Sequence, residues 1–201
     1  MGRFSVSINL RKGEAISLDK GLEYALVGLG WSINRYDGSN YDLDAQVFLC
    51  NESGKCRDDR DFVFYGNLES GNGAVKHTGD NLEGSDGITD DEVIFIDFTK
   101  LPNRVERIDV AVTIYDAELR KQNFGQIDKC YIRVAKMIES QNPQNAVEVL
   151  KYEMNEDFDK ETALIVGSFY KYKNAWKFKA IGSGWNKGHK ALVENYGLEV
   201  E

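Results

Sequence analysis

The chain has 201 residues, 42% of them hydrophobic, a net charge of −8 and two prolines. That length and apolar share give one large domain, read as a single unit over 1–201, with a core of its own. The chain has no run of about 18 apolar residues, so no transmembrane segment is expected, and the negative field disfavours nucleic acid as a direct partner.

In chain order, short apolar and β-branched runs alternate with turn signals. FSVSINL (4–10) reads as the first strand; AISL (15–18), YALVGLGW (24–31), LDAQVFLC (43–50) and DFVFYGNL (61–68) follow. VIFIDF (93–98), ERIDVAVTIYD (106–116), KCYIRVAKMI (129–138), AVEVLKYEM (146–154), ETALIVGSFYKYK (161–173) and AWKFKAIG (175–182) complete the series. Asn51-Glu52-Ser53-Gly54 and Lys173-Asn174-Ala175 read as hairpin turns. Helix is scarce. GHKALVENYG (188–197), closed by Gly197, is the main candidate, and LPNRVERI (101–108) offers a helical turn at its start. The expected fold class is all-β: an antiparallel β-sandwich of about ten strands with a short C-terminal helix.

The cysteines Cys50, Cys56 and Cys130 are odd in number and lack C-x-x-C spacing, and MGRFSVSINLRKG at the start lacks a secretory h-region. Reduced thiols and a cytoplasmic location are expected.

The charge is not spread evenly. Residues 77–93, HTGDNLEGSDGITDDEV, hold Asp80, Glu83, Asp86, Asp90, Asp91 and Glu92 with no Lys or Arg. Residues 80–97 carry seven acids and no base, so most of the excess charge sits in one place. Like charges about 4 Å apart repel by roughly 4 kcal/mol at an effective dielectric of about 20. A solvated loop relieves this by spreading; a folded loop must take up a proton or a cation. The EF-hand pattern fails in both registers. From Asp80, position three is Leu82 and position twelve is Asp91; from Asn81, the turn glycine falls one place late, at Gly87.

A second acidic string, DGSNYDLDA (37–45), has Asp42 and Asp44 two apart. In a strand both carboxylates leave one face while Leu43 anchors the other, and Asp37, Ser39 and Asn40 add oxygen nearby. The competing reading is an acidic edge strand that deters pairing. Asn67, at the end of a strand, offers an amide oxygen. Asp116, ending VAVTIYDA, offers a carboxylate or an acceptor for its own loop.

KYKNAWKFK (171–179) reads as a hairpin with Lys171, Lys173, Lys177 and Lys179 on the outer face and Tyr170, Tyr172, Trp176 and Phe178 opposite. That face is either solvated or meets an acidic lipid or partner. Catalysis finds little support. His77 and His189 are the two imidazoles, no nucleophile elbow, P-loop or dinucleotide fingerprint occurs, and His77 reads as a structural turn residue.

Taken together, LVGLGW (26–31), DGSNYDLDAQVFL (37–49), DFVFYGNLES (61–70), HTGDN (77–81), DDE (90–92), VTIYDAELRKQNFGQI (112–127), ETALIVGSFY (161–170) and WKFKAIGSGW (176–185) resemble the tellurium-resistance TerD family of bacterial stress proteins, in family order and over nearly the whole chain. The resemblance implies a β-sandwich that binds Ca²⁺ through acidic loops at one end. It implies ligands at Asp42 and Asp44, at Asp80 and Asn81, and at Asp90, Asp91 and Glu92, with a backbone carbonyl from Leu43. Asn67 and Asp116 are further carry-overs. The spacer LEGSDGIT is longer than the family's, and Asp86 within it stands in reach of a family position. The family also implies resistance to tellurite and other chemical stress through membrane-associated or cytosolic partner proteins, with no enzymatic reaction tied to the domain. The expectation is therefore a cytoplasmic calcium-binding module in stress response, not an enzyme. The alternative is a binder of a phosphate-bearing small molecule, or a metal-assisted enzyme with an open position on its ion.

Overall fold

A computed structural model describes residues 7–35, 38–87, 89–154, 158–173 and 175–199. Its strands are β1 (Ile8–Leu10), β2 (Ala15–Ser17), β3 (Tyr24–Trp31), β4 (Leu43–Cys50), β5 (Phe62–Val63) and β6 (Val75–His77), then β7 (Glu92–Asp97), β8 (Arg107–Ile114), β9 (Cys130–Met137), β10 (Val147–Glu153), β11 (Ala163–Tyr172) and β12 (Ala175–Trp185). The helices are α1 (Ala117–Arg120) and α2 (Gly188–Asn195). No described helix is long and apolar enough to cross a membrane.

The strands form two six-stranded sheets, ordered β1-β10-β9-β3-β7-β6 and β2-β12-β11-β8-β4-β5. The described pairings are antiparallel except β1 with β10. Alternation explains the layering. Leu43, Ala45, Val47 and Leu49 of β4 point into the core between the sheets, which they share with Leu29, Ile94, Ile132 and Phe178. The other face of β4 is buried too. Phe48 and Cys50 pack beneath α2 against Leu192, Val193 and Tyr196. The C-terminal helix is thus a cover for the outer face of the second sheet, and each large apolar side chain buried there contributes about 1.5–3 kcal/mol. Gly197 closes it in the left-handed region, donating its N–H to Glu194 O.

Several expectations change on folding. DFVFYGNL keeps only the two residues of β5, because Phe64 and Asn67 exchange backbone hydrogen bonds in a tight turn. β6 lies in a stretch too short and too polar to show alternation. Asn51–Gly54 forms a turn, but β4 is rejoined by β5 only after a 3₁₀ turn at Asp59–Asp61, so it is not a hairpin loop. At 101–108 the backbone makes a single turn, Val105 N–H to Pro102 O, and the 3₁₀ turn lies earlier, at Phe98–Lys100. Phe4, Ser5 and Val6 of the first expected strand, together with Asp37 and Asn174, lie outside the described residues.

The lysine-rich face also divides differently. Tyr172 pairs with Ala175, which sets Lys171 opposite Trp176 and Tyr170 opposite Lys177. Lys171 therefore shares the core side with Trp176, its Nζ 5.6 Å from that ring, while Lys177 shares the outer side with Tyr172 at 4.2 Å. The turn fixes the sum of paired residue numbers, and a one-residue change in that sum exchanges the faces of one strand relative to the other.

Candidate cation site at the loop end of the sandwich

The starts of β4 and β7 and the ends of β3, β6 and β8 meet at one end of the sandwich. Asp42 precedes β4 and Asp44 is its second residue, so the two carboxylates leave the same face, with Leu43 fully buried between them. The chain leaving β6 supplies Asp80. One carboxylate oxygen each from Asp42, Asp44 and Asp80 lies within 4.8 Å of the others. Asp42 and Asp44 are buried and Asp80 is exposed, so the trio forms a charged pit with one wet side. Loops separated by more than thirty residues are brought together only by the pairing of both sheets at this end.

Glu92 closes the floor. It is 1% exposed, accepts from Ala45 N–H at 2.7 Å and from Asn81 N–H at 3.3 Å, and so caps the stretch of β4 that β5 does not cover. His77 faces it, with Nε2 3.4 Å from Glu92 Oε2. The His77 Nδ1 accepts from Gly79 N–H at 3.0 Å, which directs the ring proton to Nε2. His77 ends β6 and so does not lie in the expected turn; its ring is part of this floor.

The charge at the trio is incompletely answered. Arg120 Nη2 stands 3.4 Å from Asp42 Oδ2, whereas Asp42 Oδ1 is buried without a hydrogen-bond partner. Burial raises the Asp42 carboxyl above its ordinary range, against the pull of Arg120. Burial, then Glu92, Asp42 and Asp80, pushes Asp44 up to about 8; a hydrogen bond with Thr113 opposes the rise. Tyr65 also rises, through burial first and then Asp44. An orphaned buried carboxylate oxygen costs free energy unless something positive or a donor reaches it.

The TerD domain profile matches residues 6–196. The chain belongs to the TerD family. It is 42% identical over 198 residues to the tellurium resistance protein TerD of Alcaligenes sp, covering 97% of this chain and all of that one. It is 43% identical over 199 residues to general stress protein 16U of Bacillus subtilis (strain 168), with the same coverage. Among solved structures, a homologue of telluride resistance protein (TerD) from Streptomyces coelicolor A3(2) superposes with TM-score 0.67 at 17% identity, over 86% of this chain and 96% of that one. At that identity the likeness establishes the shared fold.

Within this TerD-family chain, the other expected ligands fall into three groups. Asn81 and Asp91 brace the loop: Asp91 Oδ2 accepts from Trp31 N–H at 2.9 Å, Asn81 Nδ2 donates to Asp91 O, and Asn81 Oδ1 accepts from Glu83 N–H. Asp86 turns within its own loop, accepting from Thr89 N–H at 3.0 Å. Asp90, Asn67 and Asp116 do other work. Asp90 takes Arg133 Nε at 2.8 Å on Oδ1 and Nη2 at 2.6 Å on Oδ2, with the Tyr131 hydroxyl at 3.2 Å. Its carboxylate lies where a Cβ on Gly28 would stand, 2.3 Å away, which is why that strand position has no side chain. Asn67 spends its amide N–H groups on Phe62 O at 2.6 Å and Asp59 O at 3.3 Å. Asp116 adopts a left-handed backbone (φ 49°) at the start of α1 and accepts Arg120 N–H on its carbonyl. Asp80, just after β6, thus joins the trio, while Asp86 and Asp90 stay outside it.

Arg120, Thr113 and Tyr65 escaped the sequence reading. Arg120 sits on a four-residue helix too short to leave a periodic signal. Thr113 reaches Asp44 through the β4–β8 register, which pairs the two residues. Nothing local in the sequence encodes that pairing.

Proposed function

We propose that this chain is a calcium-binding module of the stress response, acting by binding and not by catalysis. The observation that carries the reading is the carboxylate trio, whose oxygens lie within 4.8 Å of one another while a buried oxygen of Asp42 lacks a partner. Oxygens at that spacing suit a hard cation with bonds of about 2.3–2.6 Å. Asp42, Asp44 and Asp80 would hold it, with Glu92 and Asn81 orienting the loop. The ion would supply charge neutralisation, pinning the loop after β6 to the start of β4. The relatives named for tellurium resistance and general stress support a role in stress resistance; in this reading the module works in the cytoplasm with cytosolic or membrane-associated partner proteins.

Calorimetric melting in millimolar Ca²⁺ and in chelator tests the site. A ligand that binds only the folded state stabilises by about 2.7 kcal/mol at a hundredfold excess over Kd, so the melting temperature climbs with Ca²⁺. Superimposable curves would remove the site from consideration. Mg²⁺ is expected to substitute poorly, because it demands near-octahedral geometry and sheds water reluctantly.

A further inference from the structure

The outward face of β4 continues beyond the carboxylates. Asp44, Gln46 and Phe48 follow at period two, and they lead toward a cavity of about 520 Å³ between β5, the turn after it and α2. Its walls include Phe62, Phe64, Tyr65, Asn67, His189 and Val193. That volume falls in the range of about 300–1,000 Å³ typical of small-molecule sites.

Much of the wall is aromatic. Tyr196, Phe48, Phe62 and Phe64 stack in sequence, with centroid separations of 3.9, 4.5 and 4.4 Å and interplanar angles of 12°, 6° and 10°. The His189 ring tilts against Phe62 and Phe64 at 6.0 and 6.1 Å. Its polarity is set from behind. The buried Gln46 amide nitrogen lies 2.9 Å from His189 Nδ1 and donates to Thr113 Oγ1 at 2.8 Å. With the Gln46 amide nitrogen as the donor, Nδ1 accepts and the ring proton is carried on Nε2, and burial lowers the ring's pKa. Asn67 complements this donor. Its N–H groups are committed to Phe62 O and Asp59 O, which leaves its Oδ1 as an acceptor. The charged residues along the cleft do not favour an anion: Asp59 and Glu199 are carboxylates, and Arg60 is engaged by Asp58 at 2.9 Å.

We propose that this cleft binds a neutral, planar nitrogen heterocycle of the nucleobase type, with His189 Nε2–H donating to a ring acceptor and Asn67 Oδ1 accepting from an exocyclic amine or ring N–H. A purely aliphatic guest would leave both polar groups desolvated and unpaired, which is costly. A phosphate-bearing guest would meet Asp59 and Glu199. The proposal does not depend on the cation site, although the Gln46–Thr113 link runs from His189 toward Asp44.

The test is a titration of the full chain with adenine, adenosine and AMP in the presence of chelator, followed by NMR shift mapping. Saturable shifts at Phe62, Phe64, Val193 and His189 are expected, with a Kd at or below about 1 mM for adenine or adenosine and weaker binding of AMP. His189→Phe keeps a ring and removes the donor, and is expected to weaken binding about tenfold, the worth of one neutral hydrogen bond. No saturation by adenine or adenosine at about 10 mM, shifts that map elsewhere, unchanged affinity in His189→Phe, or AMP binding more tightly than adenosine would each overturn the proposal. The wild-type shift map decides the matter even where the variant fails to fold.

Discussion

Asp90 and Asp44 make an instructive pair. Both are carboxylates at the loop end of the sandwich, both expected as metal ligands, and both largely buried. Asp90 is fully answered: Arg133 grips both its oxygens, Tyr131 adds a hydroxyl, and Gly28 makes room. Asp44 has Thr113 and three other carboxylates around it. One acid is a structural member whose charge the fold neutralises internally. The other is buried among like groups, no cation among the described residues pairs with it, and its carboxyl is pushed up accordingly. A buried acid becomes a candidate site when its surroundings fail to compensate it, and residue type alone does not reveal which acids those are.

The largest expected effect breaks the structural member. Asp90→Ala leaves the Arg133 guanidinium half-buried and unpaired, and should cost about 3 kcal/mol in denaturant unfolding, in Ca²⁺ and in chelator alike. An equal loss of Ca²⁺ affinity in the still-folded variant would place Asp90 back at the ion. Asp44→Asn should do the reverse. Its ion-free form should be at least as stable as wild type at neutral pH, because a carboxyl held up at about 8 is replaced by a neutral amide. It should lose the Ca²⁺-dependent gain of about 2.7 kcal/mol at hundredfold excess. A full Ca²⁺ response in Asp44→Asn would contradict the assignment of that residue.

Proton linkage sharpens the same contrast. Between the ordinary carboxylate range and about 8, the folded protein holds a proton on Asp44 that the unfolded chain has released. Stability of the ion-free protein should therefore fall as pH rises through that interval and level off above it. Ca²⁺ binding should expel the proton, so affinity should climb toward pH 8 and the binding heat should vary with the buffer's ionisation enthalpy. A binding heat indifferent to buffer would show Asp44 already ionised.

Two smaller effects complete the series. Arg120→Gln removes the cation that stands against Asp42, and should raise Ca²⁺ affinity by about fivefold, in line with roughly 1 kcal/mol for a partly exposed ion pair. A fall in affinity would mean that Arg120 organises the pit instead of competing for it. Asn67→Ala should cost about 1 kcal/mol of stability through the lost tie to Phe62 O, with Ca²⁺ affinity unchanged in the titration that measures it.

Much of the fold was legible because alternation in a strand is a local property. YALVGLGW and LDAQVFLC became β3 and β4 at the expected boundaries, and GHKALVENYG became the covering helix. β6 was missed because three residues cannot show a period. The lysine faces were misassigned because face follows from register, which is set by a turn and a partner strand. The same limit applied at the site. Asp42 and Asp44 on one face, with Leu43 inward, follow from a rise that turns the side chain over at every residue. The sorting of Asp80 from Asp86 and Asp90 depended on where a loop crosses the end of the other sheet.

The amino-acid order was enough to specify two-faced strands, a concentration of negative charge and the family to which the chain belongs. Folding in three dimensions settled which of those charges are matched. Arg133 lies 43 residues from Asp90, and Thr113 comes opposite Asp44 only through strand pairing. Coulomb energy and desolvation depend on distance and burial, quantities that sequence separation does not carry.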